Sequence, residues 1–561
     1  MYHPGDLCPR GLLKWLHKSP RFDHLFAMAV FGADIRVSTF VPYKPRANRV
    51  PFHLRPHVAE KIAQEIDKGW LVPVEFNTLP SAEQWAVAPL QVVEEPTKLR
   101  VVTDYSDVVL GVRTGINGSV DMVSLGEAFM HRCTDLARAI HDVESAAAGS
   151  VPLLLVRDLS KAFRRIGVSQ QDVPKLHTCW ESQHLWDTRL PFGHAASAHL
   201  VCDLTRAIAD ELTKLYAGRA VCLCYVDDFI IVSSPAYAST AEHLFDAMLC
   251  DLGLPVSAAK ATRSGSWSTT NTWIGYIHDT VHKTHALAED KLRQVYAEIQ
   301  HAIRQPRVSV VLIRSMVGRM NHAANVCMPA RAFLRRLTVC LTADAAAGLS
   351  CVTITPAVRE DLHWWLRFLP TMPLAARMMA SPCTSVQCIA TDASLTGAGG
   401  VLYSALRPGN AMVMPRWRHT RLLPAPNSLA TSAVAFPFCS HGEPKDMAVL
   451  EAFAACEILQ HFIERREIQP RSDVWLQLDN QALVMVLRKG RARDARLNNV
   501  VRRLLSLCIA TDVRLYPFHV FSQENEWPDL LSRSTQAGLQ RLVSDCNTLP
   551  VQWLCAKNWT D

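Results

Sequence analysis

Tyr225-Val226-Asp227-Asp228 lies between two apolar runs, Ala220–Cys224 before it and Phe229–Val232 after it. Apolar runs this short, separated by a polar tip, predict two buried strands joined by a tight turn. The turn then carries two adjacent carboxylates at the end of an apolar sheet. Charge in that setting needs compensation, and a bound cation provides it while keeping the carboxylates ionised as ligands. Another apolar run, Val151–Val156, ends on Arg157-Asp158, which places Asp158 at a strand end too. If these strands are neighbours in one sheet, Asp158 and Asp227 can share divalent ions, and their hard oxygen donors suit Mg²⁺. The bland alternative for an isolated Asp-Asp pair is a solvated turn.

Outward from this point the chain alternates. Val58–Gly69 has helical spacing, with Ile62 and Ile66 four apart and Gly69 as a stop. Val87–Tyr105 reads as two short strands around the polar turn Glu94–Lys98, Ser124–Ala148 as a helix, and Ala195–Tyr216 as a long helix. A strand–turn–strand segment spans 256–278, and helices dominate 286–370. Pro370, Pro373 and Pro382 mark a linker, after which Ser385–Ala390 starts a second strand-and-helix region. A chain of 561 residues that is 49% hydrophobic has material for several cores. Its net charge of +7, from 59 basic and 52 acidic residues, permits a polyanionic partner without demonstrating one. The 17 cysteines include no Cys-x-x-Cys pair, so they read as small apolar groups of a reducing compartment. The N-terminus, interrupted by Asp6, Lys14 and His17, is not a secretory signal. No stretch approaches the ~20 apolar residues of a membrane span. The expected location is cytoplasmic, nuclear or both, and not secreted.

The ordered motifs over about residues 55–280 resemble the palm and fingers of reverse transcriptases. Arg157-Asp158-Leu159-Ser160-Lys161-Ala162-Phe163 looks like the first palm motif, Leu190-Pro191-Phe192-Gly193 like the template-gripping turn, and Tyr225-Val226-Asp227-Asp228 like the active-site doublet. Leu252-Gly253-Leu254 with Lys260 resembles the next palm element, and Trp273-Ile274-Gly275-Tyr276 the primer-gripping hairpin. The resemblance implies Asp158 and Asp227 as principal metal ligands, Asp228 assisting, and two Mg²⁺ ions (Mn²⁺ as an alternative) in each active site. It implies Phe163 as a steric gate against the ribose 2′-OH, with an ordinary core aromatic as the alternative. In the fingers, Lys98-Leu99-Arg100 before Thr103-Asp104-Tyr105 resembles the strand that clamps the triphosphate; Arg100 matches the family arginine, with a surface ion pair as the alternative. Two departures stand out. Glu94-Glu95-Pro96 occupies the place of a family lysine, for which Lys98 would substitute, and Ser197-Ala198 follows the Phe192-Gly193 turn where the family often has Ala-Pro.

A second set of acids resembles a ribonuclease H over about residues 384–540. Thr391-Asp392-Ala393-Ser394 follows a strand, Glu451 opens an expected helix Glu451–Phe462, Asp479 ends the strand Val474–Leu478, and Asp529 begins a final helix after Asn525 and Pro528. Taken singly, each reads as a cap or a solvated end. The resemblance implies Asp392 bridging two metal ions, Glu451, Asp479 and Asp529 completing the ligands, and His519 moving a proton or product. A structural histidine is the alternative for His519. The long, Pro-rich interval 407–444 reads as an insertion or enlarged sheet edge. Lys489, Arg491, Arg493 and Arg496 form a basic run that either contacts a hybrid backbone or is a solvated face.

The expected fold is an α+β right-hand polymerase (fingers, palm, thumb) joined to an α/β ribonuclease H-like domain. Its expected parts are an N-terminal extension (1–55), fingers and palm (56–285), thumb and connection (286–383), the ribonuclease H-like domain (384–540) and a C-terminal tail (541–561). In the connection, Arg331, Arg335 and Arg336 are spaced to follow a backbone, while Trp364 and Trp365 read as helix-packing core. This segment looks most like that of DIRS-type retroelement polyproteins, and somewhat like that of long-terminal-repeat elements. Implied partners are RNA and DNA templates, a DNA or RNA primer, RNA–DNA hybrid and deoxynucleoside triphosphates, with no membrane; no oligomeric state is assigned. A terminal or non-templated nucleotide transferase, or an inactive nucleic-acid-binding scaffold, remains an alternative that template-omission and metal-dependence assays separate.

Overall fold

The computed structural model describes residues 6–37, 48–75, 87–95, 98–106, 108–109, 112–113, 115–126, 128–257, 266–371, 385–406, 429–470, 472–535 and 551–559. The chain divides into two compact units, residues 1–284 and 285–561. Its architecture mixes helices with antiparallel and parallel sheets, the α and β content expected.

At the heart of the first unit is an antiparallel sheet in the order Ala220–Tyr225, Asp228–Ser233, Leu153–Asp158. Its strands are apolar because both faces are covered. The helix Ala195–Tyr216 packs on the sheet, as do Cys133–Ala146 and Ala238–Leu252, and Leu155, Leu204, Phe229, Ile231 and Phe245 are buried in one core. The unit also holds a four-stranded sheet (Leu71–Val74, Gln183–Asp187, His177–Trp180, Val87–Ala88) and the hairpin Leu90–Glu95/Lys98–Thr103, the strand pair around a polar turn expected within Val87–Tyr105.

The sequence reading differs from the structure in two places here. Ser124–Ala148 is not one helix. Asp121 caps a short helix, Met122–Leu125, which ends at Gly126 with φ 71°, and a separate helix covers Cys133–Ala146. Residues 6–37 are not a separate extension either. Leu7, Leu12, Leu16, Leu25 and Ile35 belong to the same core as the central sheet, and Asp6 pairs with buried Arg189 at 2.9 Å. The helices involved, Pro9–Trp15 and Phe22–Phe31, are too short to show a clear period.

The second unit contains a six-stranded sheet in the order Arg514–His519, Asp473–Leu478, Ser385–Ala393, Gly397–Leu406, Leu429–Pro437, Val551–Trp553. Ser385–Ala393, Gly397–Leu406 and Leu429–Pro437 form an antiparallel meander, while Asp473–Leu478 and Arg514–His519 add in parallel on the other side. The helices Met447–Glu464 and Ala495–Thr511 pack against each other, and the first covers the sheet. Residues 551–559 form more than a tail: Val551–Trp553 is an edge strand parallel to Leu429–Pro437, and Trp559 Nε1 donates to Ser440 O at 3.0 Å.

Ahead of the sheet run the helices Glu289–Arg304, Val310–Ala323, Arg335–Ala346 and Pro356–Phe368. Trp365 is fully buried and Trp364 stacks on Phe333 at 3.7 Å, the packing role expected of both. The expected basic track of Arg331, Arg335 and Arg336 does not form. Arg336 pairs with Glu360 and buried Asp361, Arg335 donates to Ala492 O, and Arg331 donates to Asn325. These guanidinium groups hold the unit together because each finds a local acceptor. Among the described residues no helix is long and apolar enough to cross a membrane.

Candidate active centres

Asp158 and Asp228 are direct register partners on neighbouring antiparallel strands, and Asp227 reaches the same point from the turn. Val226 holds φ 53° in that turn, a left-handed conformation that reverses the chain within two residues. The three carboxylates are half-buried, and each offers an oxygen within 4.8 Å of the others. Oxygen donors gathered this closely repel one another unless a cation sits between them, and the set is able to coordinate a metal ion. Just beneath the aspartates, buried Arg157 pairs with Glu242, which also accepts from Trp267 Nε1 at 2.9 Å.

The flanking motifs take defined places. Phe163 is half-buried, with its ring 4.9 Å from that of Phe192. Gly193 has φ 92°, and a Cβ there would lie 2.7 Å from Thr103 O, so no other residue fits without displacing the strand beneath. Asn117, which the sequence reading missed, clamps this turn: it donates to Gly193 O and accepts from Ala195 N–H, both at 2.8 Å. Arg100 lies opposite Val93 and Lys98 opposite Glu95 in the fingers hairpin. Trp273 and Tyr276 close the hairpin Thr270–Trp273/Tyr276–Asp279, whose tip is Ile274-Gly275. The Trp273 side chain is buried, and its indole N–H donates to Asp228 O at 3.3 Å. Lys260 lies outside the described residues.

In the second unit, Asp392 is buried on Ser385–Ala393, opposite Gly399. A Cβ at Gly399 would meet Leu531 Cβ at 2.3 Å, so glycine allows the helix Glu526–Arg533 to press onto the sheet. Glu451 does not open its helix. That helix starts at Met447, and Glu451 is buried one turn in. Asp529 likewise sits inside Glu526–Arg533, and Arg533 holds its carboxylate at 2.6 Å. Asp479 follows the strand Asp473–Leu478 directly.

The acids sense one another. Burial, reinforced by Asp479 and Asp392, pushes the Glu451 carboxyl up to about 8, with a hydrogen bond from Asn480 opposing. Burial pushes Asp392 up to about 6, against a hydrogen bond from Ser532 and with Asp479 and Asp529 adding to the rise. Glu451 Oε2 is buried without a hydrogen-bond partner. An orphaned buried carboxylate oxygen beside other carboxylates fits a cation ligand. This set is more open than the first, since among the described residues only Asp158, Asp227 and Asp228 bring three ligand atoms within 4.8 Å.

Two serines unseen in the sequence reading hold these acids. Ser532 Oγ donates to Asp392 Oδ2 at 2.7 Å, and Ser522 Oγ donates to Asp479 Oδ2 at 2.9 Å. Ser532 lies three residues beyond Asp529, so the spacing was visible but its target was not. Asn525 is fully buried and donates to Thr391 O at 3.1 Å, tying the last helix to the Asp392 strand. His519 shares a 3.1 Å hydrogen bond with Asp479 O through Nε2. Lys489, Arg491 and Arg493 are exposed, whereas Arg496 is paired with Asp446 at 2.9 Å.

No family model and no curated relative matches the sequence. Among solved structures, a foamy viral protease–reverse transcriptase in complex with RNA/DNA hybrid is similar at 16% identity and a TM-score of 0.48, over 90% of this chain and 58% of that one. The chain therefore spans less than two thirds of that protein's length. A foamy viral protease–reverse transcriptase dRH in complex with double-stranded DNA is similar at 14% identity and a TM-score of 0.48, covering 93% of this chain and 84% of that one.

Proposed function

We propose that this protein is a reverse transcriptase with ribonuclease H activity. It extends a DNA or RNA primer 3′-OH with deoxynucleoside triphosphates on RNA or DNA templates, and it hydrolyses the RNA strand of RNA–DNA hybrid. The observation that carries this reading is the convergence of Asp158, Asp227 and Asp228, from two neighbouring strands and their turn, on one point. These three would hold Mg²⁺, or Mn²⁺, two ions to the site. Asp392, Glu451, Asp479 and Asp529 would hold a second pair. When bound, such ions polarise phosphate oxygens and lower the pKa of an attacking hydroxyl or water.

The chain's own groups then position the reactants. Phe163, braced by Phe192, occupies the place under the incoming sugar and excludes a 2′-OH. Lys98 and Arg100 take the triphosphate, and Lys260 assists in the same substrate site. The Phe192-Gly193 turn supports the template, while Ile274-Gly275, anchored through Trp273, meets the primer strand. His519 moves a proton or product at the second centre, with Lys489, Arg491 and Arg493 against the hybrid backbone. Fingers and palm would occupy 56–285, thumb and connection 286–383, and the nuclease 384–540. Within the retroelements the segment 286–370 favours the DIRS type, and the work would take place in the cytoplasm, the nucleus or both.

Primer extension on defined RNA and DNA templates with Mg²⁺, following the template strand as well, tests the proposal. The expected result is template-dependent extension with shortening of an RNA template. Asp227→Ala with Asp228→Ala should abolish extension. Template-independent addition, or extension that survives the double substitution, would overturn it.

A further inference from the structure

Trp70 closes the corner between the helix Arg55–Asp67 and the strand Leu71–Val74, and its side chain is almost wholly buried. One indole collects three cations: the Lys161 ammonium at 5.0 Å from the ring centroid, Lys68 at 5.3 Å and the Arg164 guanidinium at 5.4 Å. Their surroundings differ. Arg164 is buried and neutralised by Asp187 at 2.6 Å and Glu65 at 2.7 Å. Lys61, on the same helix as Glu65, pairs with it at 3.6 Å.

Lys68 and Lys161 have no such partner. Both are exposed, and among the described residues neither has a carboxylate within ion-pair distance. Both ammonium groups instead lie against the one Trp70 ring, at 5.3 and 5.0 Å from its centroid, and act on each other. Two ammonium groups so placed repel, and the indole face relieves this only in part. Burial first, then Lys68 and Lys61, hold the Lys161 ammonium below the ordinary lysine range, with Glu65 opposing. Glu65 and Asp187 are already matched by Lys61 and Arg164, so the charge of Lys68 and Lys161 is left for an anion to balance.

The position of Lys161 adds to this. Its backbone is left-handed, with φ 55°, a conformation uncommon outside glycine. It sits in the turn between Asp158 and Phe163, a turn fixed by Leu159 N–H donating to Asp227 O at 3.1 Å. Three residues span at most about 10 Å, so the Lys161 backbone lies within that distance of the Asp158 backbone.

We propose that Lys68 and Lys161, backed by Trp70 and flanked by Lys61, form a binding site for a phosphate group. A phosphate offers several oxygens, accepts from both ammonium groups at once and carries the charge that balances them. The source is either the phosphodiester backbone of a nucleic-acid strand or the polyphosphate of a nucleotide. The choice between these sources rests on the function proposed above, but the site's chemistry does not.

The test compares the full chain with a Lys68→Gln/Lys161→Gln variant and a Lys68→Arg/Lys161→Arg variant. Thermal melting checks that all three fold. Two probes are titrated over a range of salt concentrations without turnover: inorganic tripolyphosphate and a labelled single-stranded DNA oligonucleotide. The Gln variant should bind at least one probe about tenfold more weakly, and the Arg variant should retain binding. Loss of oligonucleotide affinity, with a slope of log K against log salt shallower by about one to two, identifies a strand phosphate. Loss confined to tripolyphosphate identifies a nucleotide. Unchanged affinity for both probes in the Gln variant overturns the site. Because no catalysis is required, an inactive polymerase with intact probe binding would refute the proposed function and leave this inference standing.

Discussion

Asp158 and Asp228 stand directly opposite each other across two hydrogen-bonded strands, so their separation is set by the sheet and not by side-chain choice. Asp158→Asn should therefore remove a ligand without disturbing the fold. Losing several kcal/mol of charge stabilisation corresponds to more than about a thousandfold in extension rate. The melting temperature should stay level or rise, because like charges are relieved. A variant that melts well below the parent would mean the carboxylate is structural.

The half-buried Phe163 ring packs against Phe192. Phe163→Ala should improve ribonucleotide incorporation relative to deoxynucleotide, and Phe192→Ala should do so more weakly by loosening the brace. Single-nucleotide extension with paired deoxy- and ribonucleoside triphosphates reads the ratio. An unchanged ratio in Phe163→Ala counts against the gate.

The Ser532 hydroxyl lies 2.7 Å from Asp392 Oδ2 and 2.9 Å from Asp529 O, so its one proton, shared between two acceptors, ties the buried acid to the last helix. Removing an outer hydrogen bond to a metal ligand typically costs about 10–100-fold in metal affinity or activity. Ser532→Ala should lower cleavage of RNA in a hybrid to that degree and raise the Mg²⁺ concentration needed, while primer extension continues. Ser532→Thr should restore most of the loss. Asp479→Asn should abolish cleavage and likewise spare extension. Equal losses of extension and cleavage would point to unfolding.

His194 caps the helix Ala195–Tyr216, its Nδ1 accepting the Ala196 N–H at 3.3 Å, and its ring lies edge-on to Tyr105. Burial depresses its pKa to about 4. The neutral form is the one that caps, so the unfolded chain binds the extra proton between that value and the ordinary 6.5. Stability is present above pH 6.5 and is lost as pH falls toward 4. The contribution lost by pH 5 is about 2 kcal/mol. His194→Asn keeps a capping acceptor without the titration, so its denaturant midpoints at pH 7 and pH 5 should lie closer together than the parent's. An unaltered pH dependence would show that His194 does not titrate on unfolding.

What the sequence revealed follows the strength of its patterns. The acidic doublet was legible because apolar runs on both sides specify a hairpin and its register, and Asp158 could be placed because its strand ends on it. Glu451 was set too close to its helix start because Pro444 and Asp446, the true entry signals, lie in a Pro-rich stretch that reads as loop. The three-residue strand Val551–Trp553 is below the length at which alternation can be seen. The partners of Arg336, Ser522 and Ser532 lie 24, 43 and 140 residues away, and only the fold brings them near. Asn117 was invisible for the same reason, being 76 residues from the glycine it clamps.

The hydrogen bond from the Trp273 indole to the carbonyl of Asp228 joins two hairpin tips into one mechanical piece. Anything resting on Ile274-Gly275 then shares a frame of reference with the aspartates. On the function proposed above, alignment between a primer terminus and the carboxylates would thereby be built into the scaffold.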